Sequence, residues 1–114
     1  MGNNILIDDS LDFAVQIIRL VDGLNCSNVL KNQILKSSTS IGANLREAYY
    51  SESNADFIHK LRLSLKECYE TEYWLELLFK SGKIVKDAYS PLFATCGKMR
   101  KMLISSINTL ENKS

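Results

Sequence analysis

Gln33-Ile-Leu-Lys-Ser-Ser-Thr-Ser-Ile-Gly-Ala-Asn-Leu-Arg-Glu-Ala48 is the stretch whose reading decides the fold. Residue by residue it is a poor helix. Ser37 to Ser40 are a run of hydroxyl residues, followed by β-branched Ile41 and then Gly42. All of these form helix less readily than Ala or Leu. Yet Leu30, Ile34, Ile41, Leu45 and Ala48 keep helical phase across the run. A hydroxyl-rich loop over 37–44, closed by glycine, is the competing description. The unbroken phase favours a helix whose small side chains let neighbours approach its backbone, the central helix of a bundle.

The rest of the chain supplies the neighbours. Residues 1–8 are polar and expected to fray. A first helix follows over about 9–24, with Asp9 or Ser10 as its cap. Phe13, Ala14, Val15, Ile17, Ile18, Leu20, Val21 and Leu24 make it apolar over more than one stripe. Such a helix is either sunk in its own core or carries a second apolar face for another subunit. The second helix spans about 28–51, with Ser27 as N-cap. Ser53 and Asp56 form a capping pair for a third helix over about 54–80, which Ser81-Gly82 ends. Its stripe is Ile58, Leu61, Leu65, Cys68, Leu75 and Phe79. The fourth helix spans about 87–112, with the stripe Leu92, Cys96, Met99, Leu103, Ile107 and Leu110. Pro91 is tolerated only near a helix start, so the regular part is expected to begin at Ser90. Four amphipathic helices with short connections predict one all-α domain, an antiparallel up-down-up-down four-helix bundle.

Composition agrees. The 114 residues are 46% hydrophobic and 24% charged, with one proline, five glycines and a net charge of +1. That is an ordinary globular balance with few helix breakers. Cys26, Cys68 and Cys96 have no metal-like spacing and read as free thiols of a reducing compartment. The N-terminal segment lacks the pattern of a secretory leader, and no apolar run is long enough to span a membrane. The expectation is a cytoplasmic protein.

Two polar features stand out on the third helix. Glu72 falls in phase with the core stripe and needs a cation or several donors. Arg46 and the hydroxyls of Ser37 to Ser40 are the candidates, so a buried polar layer of Ser40, Asn44, Arg46, Glu47 and Glu72 is expected. Leu63, Trp74 and Leu77 share a face away from the core stripe. A tryptophan between two leucines marks a candidate oligomer interface.

Catalysis finds no support. Asp56 and His59 have the acid–histidine spacing of di-metal bundles, but such sites need a second motif and His59 is the one histidine. No serine or cysteine nucleophile signature and no phosphate-binding glycine loop occur. Neither a metal nor a cofactor is expected. Charge is uneven, however. Lys31 and Lys36 lie in an acid-poor part of the second helix. Lys98, Arg100 and Lys101 dominate the fourth, and the first carries Asp8, Asp9, Asp12 and Asp22. Lys31, Lys36, Lys98, Arg100 and Lys101 are the candidate nucleic-acid contacts. In a single chain an ordinary solvated helix face explains the same lysines.

Gln33, Ser37, Thr39-Ser40-Ile41, Ala43-Asn44 and Glu47-Ala48, followed by Asp56-Phe57-Ile58, Leu65-x-Glu67 and Glu70-Thr71-Glu72-x-Trp74-Leu75, form a pattern along nearly the whole chain. It resembles the bacterial four-helix-bundle proteins encoded in 23S rRNA intervening sequences. The accessory variability proteins of diversity-generating retroelements are similar to these. The resemblance implies a small bundle that assembles into a homopentamer. It also implies, by way of the retroelement relatives, an affinity for nucleic acid and for a protein partner. The near-neutral charge departs from the strongly basic retroelement proteins, and Tyr49-Tyr50 stand where smaller residues are common in the family; both favour the intervening-sequence branch. The resemblance carries over no catalytic residue. Two functions compete: an oligomer associated with RNA or ribonucleoprotein, and a scaffold that recruits a partner protein.

Overall fold

A computed structural model describes residues 2–113, with side chains from residue 5 onward. Four helices account for the architecture: α1 (Gly2–Asp22), α2 (Asn28–Tyr49), α3 (Asn54–Lys80) and α4 (Lys86–Asn112). Each helix packs on its neighbour in sequence, and α4 returns to α1. Among the described residues the backbones of the diagonal pairs α1–α3 and α2–α4 stay more than 8 Å apart, Cα to Cα. The result is the expected four-helix bundle, 46 × 21 × 19 Å, its long axis set by helices of 27 residues at about 1.5 Å per residue.

The connections follow local chemistry. Ser27 accepts a hydrogen bond from the Leu30 amide at 3.3 Å and Ser53 one from Asp56 at 3.1 Å, so both predicted N-caps form. Gly82 takes φ +77°, the left-handed conformation that ends α3 and that a side chain would strain.

Two boundaries differ from the sequence reading. Residues 2–8 are helical rather than frayed, because Leu6 is wholly buried and anchors this extra length to the core. Asp9 and Ser10 therefore lie inside α1 and cap nothing. Helix α4 starts at Lys86, so Pro91 lies inside it and leaves the Asp87 carbonyl without its usual donor. An aromatic row steadies that turn. Tyr89 stacks on Phe79 of α3, 4.4 Å between centroids and 6° between planes, and meets Phe93 at 5.1 Å.

The hydroxyl run of α2 is helix throughout, so no loop interrupts 37–44. Its side chains fold back onto its own carbonyls: Ser37 to Ile34, Ser38 to Leu35, Thr39 to Leu35 and Ser40 to Lys36. This pattern satisfies the hydroxyls without an outside partner. Their smallness then permits close contacts on both sides. Toward α3, the Ser64 hydroxyl donates to the Ile41 carbonyl at 2.8 Å, and the Thr71 and Ser37 oxygens lie 2.9 Å apart. Toward α1, a Cβ on Gly42 would stand 2.9 Å from Ser10 Oγ.

A buried polar layer exists, but with other members than expected. Ser37, Ser64 and Thr71 are the buried hydroxyl residues that meet between α2 and α3, and Ser38 is buried beside them on α2. Ser40 and Asn44 are only half-buried, and Asn44 donates to the Ser40 carbonyl within its own helix. Arg46 and Glu47 are exposed, and Glu47 pairs at the surface with Lys60 at 2.9 Å. A one-position error in helical phase rotates a side chain by about 100°, enough to move it from seam to solvent.

Candidate nucleic-acid interface

Glu72 is 8% exposed and sits on the α4 side of α3, not the α2 side. Its partner is therefore Arg100 of α4 and not Arg46. The Arg100 Nε donates to both carboxylate oxygens, at 3.0 and 3.1 Å. The guanidinium also lies over the Tyr69 ring, 5.6 Å from its centroid. The hydrogen bond to Glu72, and then the neighbouring negative charge, hold Arg100 above its usual pKa. It is a permanent cation in a fixed place.

An open groove of about 550 Å³ runs along this seam. Glu72, Gly97 and Arg100 line it on the inside, Phe93 and Met102 supply apolar wall, and Lys98, Lys101 and Ser105 also border it. Three of the five sequence-derived basic candidates thus converge here. Lys98 and Lys101 are exposed and one turn apart, while Arg100 is half-buried in its ion pair. Lys31 and Lys36 do not join them, because α2 and α4 are diagonal in the bundle. Lys36 stands close enough to the half-buried Glu67 on α3 to lower that carboxyl's pKa. Burial, then the hydrogen bond and charge of Glu70, outweigh it and push Glu67 up to about 7. Phe93, Gly97 and Met102 were missed by the sequence reading. The only hint was a glycine in mid-helix.

The first helix is sunk in the core on one face and exposes apolar side chains on another. Phe13, Ile17 and Val21 are core, whereas Leu11, Val15 and Ile18 are 51%, 37% and 42% exposed. With Ala14, Gly42 and Ala43 the exposed side chains border a second groove of about 300 Å³ on the α1–α2 face. Leu63, Trp74 and Leu77 are half-buried, and Trp74 packs partly against its own core. The α1–α2 strip is the more open apolar surface of the two.

Reactive groups do not gather. Cys68 and Cys96 are fully buried, and the Cys96 thiol donates to the Cys68 carbonyl at 3.5 Å. A hydrogen bond with Cys68, then burial, push the Cys96 pKa far up, which makes it a poor nucleophile. His59 is exposed, and among the described residues no group of His, Cys, Asp or Glu could hold a metal ion. Among them, too, no helix is long and apolar enough to cross a membrane.

Comparison with known proteins gives two findings. The profile of the 23S rRNA-intervening sequence protein family matches residues 3–105. The chain is also similar to a crystal structure from Bacteroides thetaiotaomicron VPI-5482, a protein with unknown function from the S23 ribosomal protein family. The two are 46% identical with a TM-score of 0.91, over 95% of this chain and 99% of that one. The comparison with curated proteins found no match.

Proposed function

The chain belongs to the 23S rRNA-intervening sequence protein family, and from that premise we propose that it is a non-enzymatic, self-associating bundle that binds RNA or ribonucleoprotein through the basic border of the α3–α4 groove. The convergence of Lys98, Lys101 and Arg100 on one groove carries this reading. Phosphate contacts need exposed, positively charged side chains and little else.

Assembly has its own support. Leu11, Val15 and Ile18 form an exposed apolar strip of the kind that usually has a partner. The homopentamer implied by the resemblance is a ring, and a ring joins two unlike patches. The α1–α2 strip supplies one, and the Leu63–Trp74–Leu77 face supplies the other. The α3–α4 groove lies across the bundle from the α1–α2 strip, so contacts through that strip leave it open. Repetition around a ring multiplies a modest local charge into a sizeable positive potential.

Titration of a structured RNA between about 50 and 200 mM salt tests the binding, because affinity should fall steeply over that range. Sedimentation equilibrium tests the assembly. Retention of the oligomer with no RNA bound at low salt would remove the RNA reading. The competing scaffold reading draws on Tyr49 and Tyr50, which border a small pocket with Ile7 and Arg46, Tyr50 being 87% exposed. One protein enriched in a pull-down after nuclease treatment would favour it.

A further inference from the structure

The groove holds more than lysines. Both hydrogen bonds from Arg100 to Glu72 use Nε, so the carboxylate does not occupy the terminal amino groups. Nη2 stands 3.6 Å, and Glu72 Oε2 3.5 Å, from the point where a Gly97 Cβ would be, which places the guanidinium and its paired carboxylate together against the glycine's open side. Glu72 and the Tyr69 ring fix the guanidinium from other directions. It is a preorganised donor facing a space that a missing side chain leaves clear.

The apolar wall is equally fixed. Phe93 touches Tyr89, which stacks on Phe79, so its ring belongs to a braced aromatic row. Phe93 is itself half-buried and lines the groove. A flat apolar surface beside a fixed guanidinium and a lysine matches a ligand with a planar ring and an anionic group. Unpaired nucleotides have that form, and proteins take them by ring stacking plus backbone charge contacts. A duplex offers phosphates to the lysines but keeps its rings stacked inside.

We infer that the α3–α4 groove seats one unpaired nucleotide of single-stranded RNA, its flanking phosphates at Arg100 and Lys101 and its base against Phe93. This rests on the RNA reading above and narrows it to one strand and one site. Gly97 is then a positioning residue: its lack of a side chain keeps the guanidinium accessible.

Fluorescence polarisation with a labelled, unstructured ten-nucleotide RNA, and with a duplex of the same length, tests the assignment. The wild-type protein binds the single strand more tightly than the duplex. Phe93→Leu weakens single-strand binding by about tenfold and leaves its salt slope unchanged. Lys101→Gln lowers that slope by about 0.7, the value for one lost phosphate contact on a single strand. Gly97→Leu fills the groove without removing a charge and also weakens the single strand. Thermal melts confirm that it remains folded, so its result stands even if Phe93→Leu unfolds the bundle. Binding of neither RNA by the wild type at low salt overturns both the RNA reading and the groove assignment. Wild-type binding that folded Gly97→Leu leaves unaltered overturns the groove alone. Equal affinity for duplex and single strand also overturns it.

Discussion

On one flank of α3, Ser64 and Thr71 reach across to the backbone and hydroxyls of α2. On the other flank, Tyr69 and Glu72 meet Arg100 of α4. Both seams contain polar side chains, and these behave differently. The hydroxyls are short, fully buried and satisfied within the seam, so they draw two backbones together. The ion pair is long and lies at the edge of its seam, where burial is incomplete and a groove opens beside it. Small polar groups inside a bundle therefore point to close packing. A large polar pair at its edge leaves donors that a ligand can use.

The strongest way to break this contrast is to enlarge a side chain in the tight seam. Ser64→Leu places a bulky group where the hydroxyl now touches the Ile41 carbonyl, and it should destabilise by about 3 kcal/mol in urea denaturation. A loss below about 1 kcal/mol would mean that the helices separate easily. Next comes the ion pair. Glu72→Ala should cost about 2 kcal/mol, less than a fully buried pair, because Arg100 can turn toward solvent. A loss under about 0.5 kcal/mol would show the pair to be merely solvated.

Titration probes the outer edge of the tight flank. The Glu67 carboxyl is pushed up to about 7, above its unfolded value, by burial first and Glu70 next. A raised carboxyl pKa means that ionisation opposes folding. The penalty is full above pH 7 and disappears as pH falls toward the unfolded pKa of about 4.5. Lowering the pH from 8 to 5 should therefore add stability, on the order of 1 kcal/mol for so solvated a pair. Glu67→Gln should flatten that part of the pH profile. A profile unchanged by this substitution would remove the carboxyl pair as its cause.

The smallest expected effects come from two mid-helix glycines. Alanine normally stabilises a helix interior by roughly 0.5–1 kcal/mol over glycine. Gly97→Ala should realise that gain, since its Cβ would meet Glu72 and Arg100 at 3.5 and 3.6 Å, ordinary contact distances. Gly42→Ala should not, because Ser10 Oγ lies 2.9 Å away. Adding Ser10→Ala should restore the gain. Equal melting shifts for the two single substitutions would erase the difference between the tight and open parts of the bundle.

Much of this organisation was legible in the chain. Helix phase survived the unfavourable run from Ser37 to Gly42, and Ser27, Ser53 and Gly82 marked their helix ends by local geometry alone. The doubled apolar pattern of α1 was legible too, and Leu11, Val15 and Ile18 are its exposed part. Less legible was which neighbour a given face would meet. Glu72 was recognised as a carboxylate in the core phase, yet it was assigned to α2. A residue's angle around its own helix does not say which of two adjacent helices stands there. The basic candidates divide for the same reason: Lys31 and Lys36 fall on a different side from Lys98 and Lys101, although all were acid-poor segments in sequence.

By itself, the sequence determined that four amphipathic helices form, roughly where each begins and ends, and that the hydroxyl run belongs to one of them. These are consequences of periodicity and capping, which act over three or four residues. Only the tertiary structure decided that Ser64 and Thr71 face α2 while Glu72 faces Arg100, and that Phe93, Gly97, Lys98 and Lys101 border one groove. Such pairings join residues as far apart as Glu72 and Arg100, and they depend on how whole helices rotate to fill the core. No local signal encodes that rotation.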